Sequence, residues 1–124
     1  MLRWNSLNSE IEKLEKIHAE LALISQRIDG ERKLELVQLR RQLSVQIGVI
    51  SAEADKSFLS EVSQEHAREF RSLLSAMRRA VALHQAEWPA VRLDEQNFEY
   101  RQSVQSVREA NGHFLRWAND NIRG

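Results

Sequence analysis

The chain has 124 residues, with 18 basic and 18 acidic side chains, no cysteine and one proline. This length suits a single domain over residues 1–124, and the balanced charge argues against nucleic acid or an anionic membrane surface as a partner. The absence of cysteine excludes disulfides, thiolate zinc sites and cysteine nucleophiles. No apolar run approaches the ~18 residues of a membrane span, and the polar start lacks a signal-peptide core, so we expect a cytoplasmic location.

The composition predicts an all-α fold. Four glycines and one proline are too few for the many turns of an all-β chain. Leu, Ala, Glu, Gln and Arg are abundant, and all five are good helix formers.

The first predicted helix covers residues 6–28. Ser9 and Glu12 fit a capping box, in which two side chains satisfy free N–H groups at a helix start. Asp29 and Gly30 then predict a left-handed cap and a turn. Apolar residues between these signals recur at helical spacing on one stripe, namely Leu14, Ile17, Leu21, Ile24 and Ile28.

The second predicted helix covers residues 31–54 and is apolar on two sides, as expected for a helix with two neighbours. Gly48 interrupts it, and we expect close helix packing there. The second side also predicts a homodimer with coiled-coil-like packing. The main stripe is Leu36, Leu39, Leu43, Ile47, Ile50 and Ala54, and the second side is Leu34, Val37 and Val45.

The third predicted helix covers residues 58–88 and ends before Pro89, which cannot donate a backbone hydrogen bond. Its start is poorly marked. Ser57 is a candidate cap, and a single helix over residues 31–88 is the alternative. We favour a break, because such a helix would far exceed the usual length.

The fourth predicted helix covers residues 95–122, with Asp94 as its N-cap. Asn111 and Gly112 form a common turn dipeptide, but the apolar stripe stays in phase through them. We therefore predict a continuous helix, with Asn111 facing the core and Gly112 allowing a close neighbour, and a turn remains the alternative. The stripe is Tyr100, Val104, Val107, Asn111, Phe114 and Ala118.

Four histidines raise the question of chemistry, but their surroundings match no catalytic or metal motif. Only His18 has a glutamate three positions earlier, so the Glu-x-x-His pairs of a di-iron bundle are incomplete. In histidine phosphotransfer bundles, Lys and Gly usually follow the phosphorylated histidine at +3 and +4, and none of the four fits. We expect His66 and His84 to be core or core-edge imidazoles with one hydrogen-bond partner, and we expect no cofactor.

The tight basic pairs and the tryptophans have structural and functional interpretations. Arg40 with Arg41, and the pair at residues 78–79, predict solvated helix faces because acidic residues are interspersed. Trp4 and Trp117 are near the two termini, which share one end in an antiparallel bundle with an even number of helices. Trp88 closes the third helix, and tryptophan at a bundle end is typical either of core packing or of a partner anchor.

The predicted fold is an all-α, up-and-down bundle of three or four long helices. The predicted function is non-catalytic binding of an amphipathic helix of a partner protein, as in chaperones and adaptors, because long amphipathic helices offer grooves to another helix. The alternatives are a helical histidine phosphotransfer or signalling protein, and a self-associating bundle.

Two stretches, "SVREANGHFLRWANDNI" at residues 106–122 and "LVQLRRQLSVQI" at residues 36–47, resemble helices of the FlgN-type flagellar export chaperones. The resemblance covers about a quarter of the chain and implies an all-helical cytoplasmic protein that holds a C-terminal helix of a secreted partner. The chain lacks the polar tail that often ends this family. The resemblance implies a partner groove lined by Asn111, Phe114, Leu115 and Ala118, and Trp88 and Trp117 complete the predicted partner-binding set.

Overall fold

The computed structural model describes residues 4–27, 29–95 and 97–123. Within these ranges the chain forms α1 (Asn5–Ile24), α2 (Arg32–Ser57), α3 (Gln64–Glu87), a 3₁₀ turn (Ala90–Arg92) and α4 (Phe98–Asn121). Helix α1 packs closely on α2, α3 packs closely on α4, and looser contacts of α1 with α4 and α2 with α3 close the bundle. The predicted all-α, up-and-down bundle is confirmed, with four helices in the described ranges. None of these helices combines the length and apolar character that crossing a membrane requires.

The main core lies along the bundle axis and ends in an aromatic group. The Phe58 ring lies 5.0 Å from Trp4, 5.4 Å from Phe70 and 6.4 Å from Trp117, measured between centroids. The two tryptophans predicted to share an end therefore both pack against Phe58. The members of this core with no exposed surface are Leu7, Ile11, Leu14, Ile50, Ala54, Phe58, Met77, Phe114 and Ala118.

A second, smaller apolar cluster lies at the opposite end of the bundle. It joins the end of α1, the start of α2, and both sides of the α3–α4 connection. Its aromatic pair is Trp88 and Tyr100, whose ring centroids are 5.2 Å apart. The cluster consists of Ile24, Leu36, Trp88, Leu93 and Tyr100.

Helix α1 begins at Asn5, one residue before the predicted start and one turn before Ser9, so the capping-box assignment at Ser9 is wrong. Leu7 is completely buried, and its burial favours helix through that residue. At the other end, the predicted turn is present but the left-handed glycine is not, since no glycine among the described residues has positive φ. The Asp29 carboxylate forms the turn instead, accepting bonds from Arg27 and from the Glu31 backbone N–H. Ile28 lies outside the described residues.

The break between α2 and α3 is confirmed, but the predicted cap is wrong. Ser57 ends α2, donating its hydroxyl to the Glu53 carbonyl at 3.1 Å. Ser63 caps α3 by accepting from the His66 N–H at 3.0 Å. Residues 58–63 thus connect two helices, because the burial of Phe58 draws the chain back across the bundle end.

Pro89 follows the end of α3 as predicted, but Asp94 does not cap α4. Asn97 does, accepting from the Tyr100 N–H at 2.9 Å. The reason is Leu93, which is fully buried and anchors the end of the 3₁₀ turn. The helix therefore starts later, and Asp94 instead accepts a bond from Lys33 at 3.2 Å.

Helix α4 is continuous through Asn111 and Gly112, so the turn alternative is wrong. The expectation of close packing at the helical glycines is also wrong. A Cβ at Gly112 would approach only the Arg116 Nη1 of the same helix, at 3.4 Å, and one at Gly48 would meet nothing within 4 Å. Both glycines lower helix propensity without admitting a neighbouring helix.

Candidate functional site

All four helices contribute to a partly enclosed cavity of about 340 Å³ on the side of the second apolar cluster. This volume falls within the range of small-molecule sites. Four arginines and two histidines line the cavity, and no Asp or Glu of the described residues lines it. The walls are otherwise mainly apolar, formed by Leu21, Leu36, Leu43, Val81, Val104 and Val107.

Two buried arginines of α2 line the cavity. Arg32 and Arg40 are one helical turn on either side of Leu36, so all three share the inner face of α2. Arg32 is 5% exposed and Arg40 is 9% exposed. The sequence placed Arg40 on a solvated face with Arg41, which is wrong for Arg40 because only Arg41 is exposed.

Backbone carbonyls from the α3–α4 connection hold both guanidinium groups in place. Arg40 Nη2 donates to the Trp88 carbonyl at 2.7 Å, and Arg32 Nη1 donates to the Leu93 carbonyl at 3.4 Å. The Nε atom of each arginine is buried and makes no hydrogen bond within the described chain. The fold therefore positions these two cations but leaves part of their donor capacity unused.

The charge of this arginine pair is not neutralised by a carboxylate. Among the described residues, no ion pair involves Arg32 or Arg40. Removing a guanidinium from water costs several kcal/mol when no anion compensates. That burial lowers the pKa of Arg40 from its ordinary value. The cavity is therefore positively charged, and the residues that the structure describes supply no counterion to it.

His84 and His18 add two imidazoles to the cavity. His84 is 8% exposed, and its Nδ1 lies 2.7 Å from the Ser103 hydroxyl. Burial, and then the charge of Arg40, lower the pKa of His84 to about 4. Burial, and then Arg108, also lower the pKa of His18. His84 is thus the predicted buried imidazole with one partner, while His66 is half-buried beside Trp117, with ring centroids 6.0 Å apart.

Asn111 also lines the cavity. It is 1% exposed, and neither its Oδ1 nor its Nδ2 has a hydrogen-bond partner within the described chain. Buried amides normally form hydrogen bonds, because leaving a polar atom unpaired costs about 1–3 kcal/mol. The Asn111 amide is therefore unpaired, and both of its polar atoms are buried with almost no accessible surface.

The six predicted partner-binding residues do not form one surface in this chain. Asn111 lines the cavity, and Trp117 is half-buried, with its indole N–H donating to Glu69 at 2.7 Å. The other four are buried in the bundle's own packing. A partner helix would have to displace the chain's own helices to reach these four residues, which are Trp88, Phe114, Leu115 and Ala118.

Trp88 has a different role at the site. Besides its carbonyl bond to Arg40, its ring packs on Tyr100 and lies under the Arg92 guanidinium, 4.2 Å from the centroid. Sequence reasoning missed Arg32 and the burial of Arg40. The available signal was their spacing, since Arg32, Leu36, Arg40 and Leu43 share one helical stripe.

Comparison with protein-family models, curated proteins and solved structures finds no match for this chain. The resemblance to the FlgN-type chaperones therefore stays a prediction. No group of three or more His, Asp or Glu side chains in the described ranges is arranged to hold a metal ion. We call the arginine-lined cavity the arginine pocket. It is defined by Arg32, Arg40, His84, Tyr100 and Asn111.

Proposed function

We propose that this protein binds a small organic anion in the arginine pocket. The observation that carries the proposal is the pair Arg32 and Arg40, buried at the wall of a cavity that no Asp or Glu of residues 4–27, 29–95 and 97–123 lines. Buried charges in proteins are ordinarily paired with an opposite charge. An anionic ligand supplies the missing partner.

The chemistry of guanidinium groups favours this occupant. Arginine presents several N–H donors in a planar fork, which matches a carboxylate or a phosphate in two parallel hydrogen bonds. The carbonyls of Trp88 and Leu93 already orient both side chains, so little side-chain entropy is lost on binding. The apolar walls then favour an organic anion over an inorganic one.

We infer binding without chemical conversion. The contact between His84 and Ser103 has the length of a base–nucleophile hydrogen bond. However, the pKa of His84 is lowered to about 4, and a general base works best when its pKa is close to the working pH. His84 is therefore a weak general base near pH 7. The His84–Ser103 pair is better suited to a structural role. The His84 ring packs against the Tyr100 ring, with centroids 5.7 Å apart, and so helps to fix Tyr100 in the cavity wall.

The test compares two adjacent arginines. Octanoate and inorganic phosphate are titrated into purified protein by isothermal calorimetry, with circular dichroism as the check of folding. Arg40→Met is expected to weaken octanoate binding at least tenfold, because a charge-assisted bond contributes about 1.5–3 kcal/mol. Arg41→Met, one residue away and exposed, is the matched control and should bind as the wild type does. Absence of binding, or an equal loss in both variants, would overturn the proposal.

A second candidate function is the predicted binding of an amphipathic helix from a partner protein. Leu23 is 66% exposed and Val45 is 60% exposed. They line two shallow depressions between α1 and α2 that share Glu20 and Gln42, and we treat these depressions as one groove. Large exposed apolar side chains beside a groove are typical of helix-binding surfaces. This groove lies on α1 and α2, and not on the α4 residues predicted from sequence.

Two measurements separate the possible occupants of this groove. Affinity capture from lysate, followed by mass spectrometry, should retain a protein with a terminal amphipathic helix, and the Leu23→Glu/Val45→Glu double variant should lose it. Sedimentation velocity of the purified protein tests the predicted homodimer. A monomer that captures nothing would remove both forms of this second candidate.

A further inference from the structure

The arginine pocket opens to solvent between α1 and α4. Its exposed lining residues are Ser25, at the end of α1, and Arg101, Gln105 and Arg108 of α4. The lining residues that α2 contributes are all buried. Solvent therefore reaches the cavity from the α1–α4 side, where these two helices are in looser contact, and we call this opening the mouth of the pocket.

Hydrogen bonds close the opposite side of the pocket, between α2 and α3. Gln85 Nε2 donates to the Arg40 carbonyl at 3.3 Å and to the Ser44 hydroxyl at 3.1 Å. The Arg40 side chain in turn donates to the Trp88 carbonyl at the end of α3. At the mouth, no hydrogen bond of the described residues joins a lining residue of α1 to one of α4, so a ligand can enter there without breaking such a bond.

Two exposed arginines of α4 lie at the mouth. Arg101 and Arg108 are seven residues apart, which is about two turns and about 10 Å along one face of the helix. Within the ranges that the structure describes, neither guanidinium group forms an ion pair. The mouth therefore carries two accessible positive charges that the described part of the chain does not neutralise.

The effect of Arg108 on His18 of α1 shows that its charge acts across the mouth. His18 is half-buried and lines the same cavity. Burial, and then the charge of Arg108, lower the pKa of His18. Glu15 acts on His18 in the opposite direction, but its carboxylate is already paired with Arg123 at 3.2 Å. The positive potential of Arg108 therefore extends from α4 to α1.

Resting on the proposed anion-binding function, we propose that Arg101 and Arg108 form a cationic entrance that captures the organic anion before it passes between α1 and α4 into the pocket. A cleft lined by one sign of charge, with low-dielectric walls, raises the local concentration of an oppositely charged ligand and its association rate. Leu21 and Val104 are half-buried and line the cavity from the same two helices. Their side chains favour an alkyl chain behind the anionic head.

The exposed and the buried arginines then have separate effects on binding. Charges at the rim of a site mainly change the association rate and its salt dependence, whereas buried charges mainly change the dissociation rate. Neutralising Arg101 and Arg108 should therefore slow the entry of the anion. Neutralising Arg40 should speed its release.

The experiment measures octanoate binding to the full chain by stopped-flow tryptophan fluorescence, with calorimetry for affinity. Trp88 is the reporter, because its ring packs on Tyr100 in the pocket wall. Salt is set at about 0.01 M and about 1 M, where the Debye length is about 30 Å and about 3 Å. At low salt, Arg101→Gln/Arg108→Gln is expected to lower the association rate and the affinity about tenfold, with the dissociation rate unchanged. At high salt, the wild type should match this variant.

A second double variant is the matched control. Arg78→Gln/Arg79→Gln removes the same charge from an exposed pair on α3 that does not line the pocket, and it should bind as the wild type does. Equal losses in the two double variants would attribute the effect to net charge and overturn the inference.

The outcomes also separate this inference from the function on which it rests. If Arg40→Met weakens octanoate binding while the entrance variant associates at the wild-type rate, the inference fails and anion binding remains. A loss at the entrance that appears only in the dissociation rate contradicts the inference in the same way. If the wild type binds neither octanoate nor phosphate, both the inference and the proposed function fail.

Discussion

Replacing Asn111 with leucine is expected to stabilise the ligand-free protein. Asn111 is 1% exposed, and its amide makes no hydrogen bond within the described chain, so the substitution removes two unsatisfied polar atoms and breaks no bond. Most substitutions at buried sites destabilise. The opposite sign here is therefore a specific consequence of the unpaired amide.

The magnitude follows from three contributions. Relieving the unpaired amide gives about 1–3 kcal/mol, and leucine has a higher helix propensity than asparagine by roughly 0.5 kcal/mol. Leucine is larger, and overpacking a filled core costs about 1–3 kcal/mol, but Asn111 borders a cavity of about 340 Å³ that accepts the added volume. We expect a net gain of about 2 kcal/mol, or roughly 8 °C in melting temperature for a domain of this length.

Urea unfolding and calorimetry measure this change, with Asn8→Leu as the comparison. Asn8 is buried and its Oδ1 is unpaired, but its Nδ2 donates to Glu12 at 3.3 Å, so its replacement loses a bond and should gain less. A loss of stability in Asn111→Leu would refute the reasoning. It would mean that the Asn111 amide is satisfied in solution.

Three further predictions concern pH, the glycine in α2 and the aromatic core. The pKa of His84 is lowered to about 4 in the folded state and is near 6.5 in the unfolded chain. Below pH 6.5, the unfolded chain therefore binds more protons at His84 than the folded chain does. Stability should fall by about 3 kcal/mol between pH 6.5 and pH 4, measured by urea unfolding. His84→Gln should flatten this slope, while His113→Gln, at an exposed position, should not. Gly48→Ala should raise the free energy of unfolding by about 0.5–1 kcal/mol, since the added Cβ meets nothing within 4 Å, and a lower urea midpoint would contradict this. Phe58→Ala should cost about 3–5 kcal/mol, because the fully buried ring contacts three other aromatic rings, and an unchanged thermal melt would contradict it.

The helices were predictable from sequence because the apolar period persists even where local signals oppose it. The stripe through Asn111 and Gly112 correctly outweighed a turn dipeptide. Helix starts were less predictable, since several nearby polar residues can serve as caps. Ser63 and Asn97 cap α3 and α4 in place of Ser57 and Asp94, and buried residues elsewhere in the connections decide between them.

The arginine pocket could not be predicted because it depends on contacts between distant residues. Arg40 and Arg41 are neighbouring residues of the same type. Only their positions around the helix, relative to Leu36 and Leu43, decide which of the two is buried. The Trp88 carbonyl that holds Arg40 lies 48 positions away in the chain. The unused amide of Asn111 is likewise visible only after its neighbours are placed, since its position on the stripe predicts burial and not the absence of a partner.

The distribution of unpaired polar atoms distinguishes a binding site from imperfect packing. Six buried side-chain atoms lack a hydrogen bond within the described chain, and four of them belong to Arg32, Arg40 and Asn111, which line one cavity. Random defects of a core would be scattered, and each would cost stability that a small domain, with a total of about 5–15 kcal/mol, has little room to lose. These four atoms belong instead to residues around one cavity, where an anionic ligand would stabilise the fold by mass action. A binding site therefore requires that octanoate raise the free energy of unfolding and that Arg40→Met remove this increase, whereas a packing defect requires neither.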